Sequence, residues 1–445
     1  MNFSEEQQLS FDKYMQGKNI FITGPGGTGK TELIKHIYRD AIEKGNSIQI
    51  CALTGCAAVL LECKAKTVHS WAGIGLGQNS ISHLVNKINK NKYAKKSWKS
   101  VDILVIDEVS MMSRKLFETL DAIGQTIRKN SKPFGGIQLI FSGDFYQLPP
   151  VGTRDEIETS EFCFQSTEWT STFLQEDHMV LVKIFRQNDI NYQNILNQIR
   201  EGRMKKSTND ILLKMVGRPI PEDILVKPTK LFPTRNKVDN INISEINKLK
   251  GYEYDFILKY HTDLVMTPTC RVKRNEFTDE QIQSELKYLQ GNLICEGTLN
   301  LKIGAQVMCI VNIKSETDDL LLCNGAQGTV IRIQDETPIV KYNNGLEMAM
   351  TPHIWQSETI PGVGVSQVPL ILAWALTIHK SQGSTLDVAE IDAGSSIFEC
   401  GQTYVALSRV KSLDGLYLTS FDIRKIKINA KVREFYDNLQ KLLLK

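Results

Sequence analysis

Residues 24–31 read GPGGTGKT, and they lie between the apolar run NIFIT at 19–23 and the amphipathic stretch ELIKHIYRDAI at 32–42. A strand, a glycine-rich turn and a helix in this order form a phosphate-binding loop, because glycines let backbone amides approach phosphate oxygens. The N-terminus of the helix adds a partial positive charge. In such a loop Lys30 reaches the β and γ phosphates and Thr31 holds magnesium. The sequence therefore predicts a site for ATP or GTP.

A pair of acids ends a second apolar run. Asp107 and Glu108 follow ILVI at 103–106; in this architecture the first acid can hold the magnesium shell and the second can take the proton from the attacking water. Gln147 lies in GDFYQLPPV at 143–151, after the next apolar run, where it is placed to touch the γ-phosphate or the water. A turn stopped by two prolines explains that segment equally well, so the spacing alone leaves both interpretations open.

Nucleotide hydrolysis in such folds uses an arginine that stabilises the transition-state charge from across a cleft. Two arginines are candidates, Arg186 in IFRQ and Arg409 in YVALSR. We expect both to lie outside the first α/β domain and to face its nucleotide from the second. Each alone would as readily be a surface or salt-bridge residue.

Short apolar runs separated by helical stretches predict buried parallel strands in an α/β domain. The first third of the chain carries four such runs, at 19–23, 47–53, 101–107 and 137–143. The pattern returns later, at 229–234, 388–393 and 415–420. A chain of 445 residues is also too long for one compact core, so the sequence predicts a second α/β domain.

A different sequence pattern interrupts the second α/β domain. Short alternating strands begin at Ala305, Gly328 and Pro338, and Asn-Gly turns occur at 324–325 and 344–345. Such strands and turns are typical of antiparallel hairpins. We therefore expect a small antiparallel barrel inserted into the second α/β domain.

The composition is that of an ordinary globular protein, with a net charge of +3. Six lysines between residues 87 and 99 form a basic stretch that contains no acid; it is either a nucleic-acid surface or a solvated helix face. No apolar run reaches the length of a membrane span, and no targeting signal is visible, so no membrane partner is expected. These features predict an intracellular protein, in the cytoplasm of a bacterium or a virus-infected cell, or in the nucleus if eukaryotic.

Taken in order, these segments resemble the petite-integration-frequency helicases (the Pif-one family) of superfamily 1B over nearly the whole chain. The most specific resemblance is the segment 108–151, which is similar to the family signature joining the second and third helicase motifs. The other matching segments are FSEEQ at 3–7, CALTGCAA at 51–58, KTVHSWAGIGLG at 66–77, FRQ at 185–187, LFPTRNKVDNIN at 231–242, AWALTIHKSQGSTLD at 373–387 and GQTYVALSR at 401–409.

The resemblance implies roles for individual residues. Those for ATP hydrolysis with Mg²⁺ are Lys30, Thr31, Asp107, Glu108, Gln147, Arg186 and Arg409, with Thr31 and Asp107 at the metal. The nucleotide-binding set is Gln7, which reads adenine in the family, with Gly24, Pro25, Gly26, Gly27, Thr28, Gly29, Lys30, Thr31 and Gly383. Candidates for the DNA path are Thr54, Thr67, His69, His379 and Ser381. Without the resemblance, His69 and His379 are interpreted as buried structural histidines. Trp71 is either a stacking surface or a core residue, and the core interpretation is favoured.

The implied fold is two tandem RecA-like domains, the first with a wedge insertion and the second with a barrel of the Src-homology-3 type. We expect the first domain at 1–178 with its wedge at about 61–80, the second at 179–250 and 363–445, and the barrel domain at 251–362. Because the adenine-reading motif begins almost at Met1, a bacterial, phage or large-DNA-virus origin, or an isolated catalytic core, is expected.

The implied activity is ATP-dependent 5′-to-3′ movement on single-stranded DNA with unwinding of forked or structured DNA, in replication, repair or recombination. The implied protein is a monomer that can dimerise on DNA. A second hypothesis, from another class, is a DNA-stimulated ATPase that remodels nucleoprotein without separating strands. A third is an unwinder of RNA or of RNA-DNA hybrids.

Overall fold

The structure is a computed structural model that describes residues 3–61, 63–75, 77, 79–153, 155–221, 227–264, 277–314, 320–357 and 360–443. The chain divides into two compact units. The first comprises Met1–Met204, Glu399–Tyr404 and Ile426–Lys445. The second comprises Lys205–Phe398 and Val405–Lys425.

The first unit alternates helices and short strands. Its elements up to Met204 are α1 (Glu5–Met15), β1 (Ile20–Thr23), α2 (Lys30–Glu43), β2 (Ile48–Ala52), α3 (Gly55–Leu61), β3 (Lys66–Thr67), α4 (Val68–Ala72), α5 (Ile81–Lys90), α6 (Lys92–Ser100), β4 (Ile103–Asp107), α7 (Arg114–Arg128), β5 (Gln138–Ser142), α8 (Glu168–Thr172), β6 (His178–Val180) and α9 (Ile190–Glu201).

The strands of this unit form one parallel sheet in the order β3-β2-β4-β5-β1-β6. Successive strand residues point to opposite faces. Accordingly Phe21 joins the core on one face with Phe117 of α7, while Ile20 and Ile22 join the core on the other face with residues of α2. Helices therefore cover both faces, and the four predicted buried parallel strands are confirmed.

The order of strands places the candidate chemistry at one edge. Strands β4, β5 and β1 are neighbours and run parallel, so their carboxyl ends meet at the same edge of the sheet. The glycine-rich loop follows β1, Asp107 is the last residue of β4, and Gly143 follows β5. In open parallel sheets, ligands bind in the crevice at this edge.

The segment 61–80, predicted to be a wedge, contributes β3 to the parallel sheet through pairing with β2. Trp71 in α4 is 4% exposed and packs against Trp98 with ring centroids 4.6 Å apart. The interpretation of Trp71 as a core residue is therefore confirmed. The wedge role of the segment stays a prediction.

The second unit carries a parallel sheet and an antiparallel region. Its elements are α10 (Lys206–Met215), β7 (Thr229–Phe232), α11 (Arg235–Lys248), β8 (Tyr254–Ile257), β9 (Lys259–His261), α12 (Asp279–Asn292), β10 (Thr298–Leu301), β11 (Gln306–Cys309), β12 (Ile313–Lys314), β13 (Leu320–Leu322), β14 (Gln327–Gln334), β15 (Thr337–Tyr342), β16 (Glu347–Ala349), β17 (His353–Gln356), β18 (Gly364–Gln367), β19 (Leu370–Leu372), β20 (Ala375–Thr377), β21 (Ala389–Ala393), α13 (Gln402–Leu407) and β22 (Leu416–Phe421).

The parallel sheet of this unit has the order β20-β7-β21-β22, which confirms the second α/β domain. Between β7 and β20 the chain forms antiparallel sheets, of which the five-stranded one has the order β16-β15-β14-β11-β19. The inserted antiparallel region is therefore confirmed. Its last strand, β19, ends at Leu372, beyond the predicted limit at residue 362.

Two chain segments belong to a different unit from the one expected. Strand β6 and helix α9 lie in the first unit, which continues to Met204, past the predicted boundary at residue 178. The C-terminal helix α14 (Ala430–Leu443) also belongs to the first unit, although it was expected in the second RecA-like domain. Helix α13 is divided between the units, because its residues up to Tyr404 belong to the first unit and those from Val405 belong to the second. Within the described ranges no helix combines the length and the apolar character needed to cross a membrane.

Candidate nucleotide site and DNA-contacting residues

The glycine-rich loop joins β1 to α2 in a conformation that needs glycine. Gly27 and Gly29 have φ angles of 85° and 79°, in the left-handed region that other residues rarely adopt. A Cβ added at Gly27 would lie 2.5 Å from Cβ of Arg186, and one at Gly29 would lie 2.6 Å from Nε2 of Gln7. The loop therefore has neither the backbone freedom nor the space for side chains at these positions.

Lys30 begins α2 and folds back over the loop. Its Nζ donates to the carbonyl oxygens of Gly24 at 2.8 Å and Pro25 at 3.0 Å. Burial lowers the pKa of the Lys30 amino group, while the negative charges of Asp144, Glu108 and Asp107 oppose that shift. Lys30 thus lies in the field of three carboxylates, at the place where a phosphate would be bound.

The two predicted acids have different local environments. Asp107 is 6% exposed at the end of β4, and burial raises the pKa of its carboxyl, while the charge of Lys30 opposes that shift. Glu108 is half-buried with a φ of 56°, a conformation that is strained for a residue with a side chain. Gly143 allows this turn, because a Cβ there would lie 2.9 Å from the amide nitrogen of Val109.

Gln147 follows β5 in a turn closed by a hydrogen bond from its amide to the carbonyl oxygen of Asp144, at 2.9 Å. Its side chain is 5% exposed, and Oε1 has no hydrogen-bond partner among the described residues. Buried polar atoms are normally paired. This unpaired amide oxygen lies in the segment that follows β5, the strand next to β1, so it is a candidate to bind a nucleotide or its attacking water.

Arg186 is not where the sequence predicted it to be. It lies in the first unit, and it follows β6, which pairs with β1 in the first sheet. The expectation that Arg186 lies outside the first α/β domain is therefore corrected. Burial lowers the pKa of its guanidinium, and Tyr404 and Glu108 act in the opposite direction. This arginine therefore lies near the candidate base and the glycine-rich loop.

Gln7 and Tyr404 also contact the loop. Gln7 donates from Nε2 to the carbonyl oxygen of Thr28 at 3.2 Å, and its Oε1 accepts from the amide of Ser4 at 3.0 Å. The hydroxyl of Tyr404 accepts from the amide of Gly26 at 2.8 Å. The sequence predicted Gln7, but it gave no role to Tyr404, although this residue lies within the matching segment GQTYVALSR at 401–409.

A buried polar network next to the site was also missed. Asp144 is fully buried and forms two hydrogen bonds with Arg200, from Nε at 2.7 Å and from Nη2 at 2.8 Å. The hydroxyl of Tyr436 in α14 donates to Oδ1 of Asp144 at 3.3 Å. The sequence does show an acid, Asp144, in the segment 143–151. Its partners Arg200 and Tyr436 are distant in the chain, so the sequence did not reveal the network.

Three DNA candidates lie at the ends of β2 and β3 in the first unit. Thr54 and Thr67 accept hydrogen bonds through their hydroxyls from Ala57 N at 3.2 Å and Ser70 N at 3.3 Å. These bonds cap α3 and α4. His69 is half-buried in α4, and burial lowers the pKa of its ring. The structure thus brings these candidates together at the carboxyl edge of the sheet.

The other candidates lie in the second unit. His379 is exposed in the turn that follows β20, whereas Ser381 is buried and donates to the carbonyl oxygen of Ile378 at 2.8 Å. Gly383 is exposed with a φ of 83°. Arg409 is 2% exposed and donates to Val405 O at 3.0 Å and to Ser408 Oγ at 2.9 Å. The roles of these residues stay predictions.

The lysine-rich stretch forms α5 and α6. Their apolar residues, among them Leu84, Ile88 and Trp98, are buried in the core. Most of the lysines are exposed. The two helices are therefore an integral part of the first unit, and their outer face is basic.

The donors at the site fit magnesium. Hard divalent cations take oxygen ligands, and Mg²⁺ is typically held by one or two protein groups together with the phosphates of the nucleotide. Asp107 supplies a buried carboxylate and Thr31 a hydroxyl in the first turn of α2. Among the described side chains, no group of three or more His, Cys, Asp or Glu residues is arranged to hold a metal ion. Such a group is not needed where the nucleotide completes the coordination.

A phosphate loop at the carboxyl edge of one parallel sheet, with a second parallel sheet that carries an antiparallel insertion, defines a P-loop nucleoside triphosphatase of the tandem RecA-like class. Comparison with known proteins narrows this class. Residues 2–210 match the family model "PIF1-like helicase", and residues 286–333 match "DNA helicase Pif1, 2B domain". The chain belongs to the Pif1 helicase family.

Individual relatives agree with this assignment. The chain is 35% identical to the ATP-dependent DNA helicase PIF1 of Emericella nidulans, over 95% of this chain and 61% of that one. The crystal structure of the Pif1 helicase from Candida albicans has a TM-score of 0.76 and 34% identity, and the match covers 99% of this chain and 100% of that one. The Bacteroides Pif1 helicase in complex with ADP-AlF3 and single-stranded DNA has a TM-score of 0.64 and 26% identity, with coverage of 99% and 98%. The chain spans 61% to 66% of the length of the first curated relatives it matches.

Proposed function

We propose that this chain is an ATP-dependent DNA helicase that moves 5′ to 3′ on single-stranded DNA and unwinds forked or structured duplexes. The observation that carries the proposal is the grouping at one sheet edge of Lys30, three carboxylates that act on it, and a buried unsatisfied Gln147 amide. This grouping suits hydrolysis of a nucleoside triphosphate. The Bacteroides relative in complex with ADP-AlF3 and single-stranded DNA supports both the nucleotide and the DNA.

In the proposed reaction, Glu108 takes the proton of the water that attacks the γ-phosphorus, the bond from that phosphorus to the β,γ-bridging oxygen breaks, and ADP and phosphate are released. Gln147 orients the attacking water or the γ-phosphate. Lys30, Arg186 and Arg409 offset the negative charge that develops on the phosphoryl oxygens. Burial of Lys30 and Arg186 strengthens these interactions, because the local dielectric is lower than that of water. Magnesium, held by Asp107 and Thr31, supplies further charge neutralisation when bound.

Closure of the two RecA-like domains on ATP would then pull on DNA held by Thr54, Thr67, His69, His379 and Ser381. Hydroxyls and imidazoles suit phosphate positioning, since they donate hydrogen bonds without reading bases. His69 acts as a neutral donor in this scheme, because burial lowers the pKa of its ring. The Thr54 and Thr67 hydroxyls keep a donor hydrogen while they accept the capping bonds.

We further propose that the protein is a monomer that can dimerise on DNA, and that it works inside the cell, in a bacterial or virus-infected cytoplasm or in a nucleus.

Strand displacement from forked duplexes tests the activity. A duplex with a 5′ single-stranded tail should be unwound with ATP, and the same duplex with only a 3′ tail should not. Lys30→Ala should abolish unwinding. Lys44→Ala is the matched control, because this lysine is at the end of the same helix, with its side chain 42% exposed, and it should leave unwinding unchanged.

The same assay separates the alternatives. DNA-stimulated hydrolysis without displacement of either substrate would favour an ATPase that remodels nucleoprotein. Equal unwinding from 3′ and 5′ tails would refute the proposed direction. Unwinding that persists when the loading strand is RNA would favour an unwinder of RNA or hybrids, and loss of unwinding on that substrate would argue against it.

A further inference from the structure

The C-terminal helix contributes one hydroxyl to the buried interior beside the nucleotide loop. The hydroxyl of Tyr436 lies 2.6 Å from Oγ1 of Thr23, the last residue of β1 before the loop. The same hydroxyl accepts from the amide of Phe145 at 3.1 Å and donates to Oδ1 of Asp144 at 3.3 Å. One oxygen atom therefore joins the strand that leads into the loop to the segment that leads to Gln147.

The tyrosine ring is fixed as firmly as its hydroxyl. It stacks on the ring of Tyr146 with centroids 4.6 Å apart and an interplanar angle of 13°. The guanidinium of Arg200 lies 4.6 Å from the Tyr146 ring centroid and 5.3 Å from that of Tyr436. Tyr436 is 6% exposed. The hydroxyl consequently has little freedom to move away from its partners.

This network also acts on the catalytic lysine. The negative charge of Asp144 raises the pKa of Lys30, and the positive charge of Arg200 lowers it, although burial has the largest effect on that pKa. Asp144 is in turn held by Arg200 and Tyr436 and closes the turn that ends at Gln147. A small shift of Asp144 would alter both the field at Lys30 and the direction of the Gln147 amide.

We propose that Tyr436 is a positioning residue for ATP hydrolysis, which acts by holding the Asp144–Gln147 segment in register with the nucleotide loop. The inference rests on the proposed function, since it assumes that Lys30 and Gln147 act on ATP. Tyr436 itself touches no phosphate in this role. Its effect should therefore fall on the rate of the chemical step and not on the affinity for ATP.

The test is Tyr436→Phe, which keeps the ring and its stacking and removes only the hydroxyl. We expect kcat for DNA-stimulated ATP hydrolysis to fall on the order of tenfold, as for the loss of about one net hydrogen bond in the transition state. The dissociation constant of a fluorescent ATP analogue should change by less than about twofold, on the same scale. Thr23→Val removes the opposite end of the link and should lower kcat similarly. The double variant should be no slower than Tyr436→Phe alone, because removing the Tyr436 hydroxyl already removes its contact with Thr23.

Tyr14→Phe is the matched control. Tyr14 is a buried tyrosine of the same unit, and its hydroxyl donates to Oδ2 of Asp40 at 2.7 Å. The kcat of Tyr14→Phe should match that of the unmodified protein. The inference is overturned if Tyr436→Phe and Thr23→Val retain full kcat, if their ATP affinity falls together with kcat, or if Tyr14→Phe slows hydrolysis equally. Should Tyr436→Phe fail to fold, Thr23→Val decides by the same criteria.

Failure of the proposed helicase function can be distinguished from failure of the inference about Tyr436. An unmodified protein that hydrolyses ATP without displacing strands refutes the helicase proposal, and the kcat comparison then still tests the inference. An unmodified protein that lacks DNA-stimulated hydrolysis removes the basis of both.

Discussion

Replacing Arg200 with methionine should destabilise the first unit strongly. Arg200 and Asp144 form a buried ion pair with side chains 9% and 0% exposed. Methionine keeps much of the aliphatic volume but removes the charge and both short hydrogen bonds. Of the side-chain hydrogen bonds that the described residues make to Asp144, those from the amide of Tyr146 at 3.2 Å and from the hydroxyl of Tyr436 at 3.3 Å would then remain. Removing one partner of a buried pair costs roughly 3–5 kcal/mol.

Urea unfolding with amide hydrogen exchange of β1 and β5 measures this loss in the first unit alone. For an m-value of about 2–3 kcal/mol/M, the expected cost lowers the midpoint by about 1–2.5 M. Arg203→Met is the matched control. Arg203 lies 2.9 Å from Asp437, but their side chains are 54% and 39% exposed, so that pair should contribute no more than about 1 kcal/mol.

Equal, small shifts of the midpoint in Arg200→Met and Arg203→Met would refute the reasoning. A double variant, Asp144→Leu with Arg200→Met, provides a second check. Replacing both partners removes the uncompensated buried charge, so the double variant should be more stable than Arg200→Met alone. A double variant that is less stable by the sum of both single losses would show that the ion pair is not the source of the effect.

Three further predictions concern hydrolysis and pH. Lys30→Ala should release no phosphate above background, because the developing charge on the γ-phosphate loses its cation, while Lys44→Ala should hydrolyse ATP normally in the same phosphate-release assay. Arg409→Ala should bind a fluorescent ATP analogue normally yet hydrolyse ATP ~10³-fold more slowly or worse. Arg424, whose side chain is 87% exposed, provides the control, and Arg424→Ala should hydrolyse ATP at the normal rate. If Arg409→Ala loses ATP binding as much as hydrolysis, Arg409 is structural. Burial lowers the pKa of His178 to about 4, so the unfolded chain binds the extra proton first as the pH drops. The free energy of unfolding, measured by urea titration, should therefore fall between about pH 6.5 and 4, by at most about 1.4 kcal/mol per pH unit. His178→Phe should flatten that slope, and an unchanged slope would exclude His178 as its cause.

The sequence predicted the features whose determinants are local. The glycine-rich loop requires φ values near 80° at Gly27 and Gly29. Glycine is the residue that adopts such φ values readily, so its presence in the sequence indicates these positions directly. The strands β1, β4 and β5 are apolar on both faces because helices cover both sides of the sheet. A continuous apolar run in the sequence indicates burial of this kind. The nucleotide motifs and the α/β class were therefore predictable.

The location of Arg186 was not predictable in the same way. Strand β6 has only three residues, His178–Val180, which is too short for a periodic pattern. Its place beside β1 is decided by hydrogen bonds to a strand distant in the chain. The arginine was therefore expected in the second α/β domain, although the turn after β6 brings it to Gly27.

The position of the C-terminal helix α14 was also not predictable from local sequence, and this position has a consequence for function. Val432, Tyr436 and Leu439 lie at helical spacing and are all buried in α14. Such spacing does not reveal which sheet a helix covers. The structure places these residues in the core that also contains Phe21 and Phe145. Burial explains the ring of Tyr436, but it does not explain a hydroxyl with three polar partners in an apolar core, where phenylalanine would avoid the cost of desolvating a polar group. That hydroxyl joins the strand before the phosphate loop to the segment before Gln147, and this link is the reason to treat the last helix as part of the nucleotide site rather than only as a cover for the sheet.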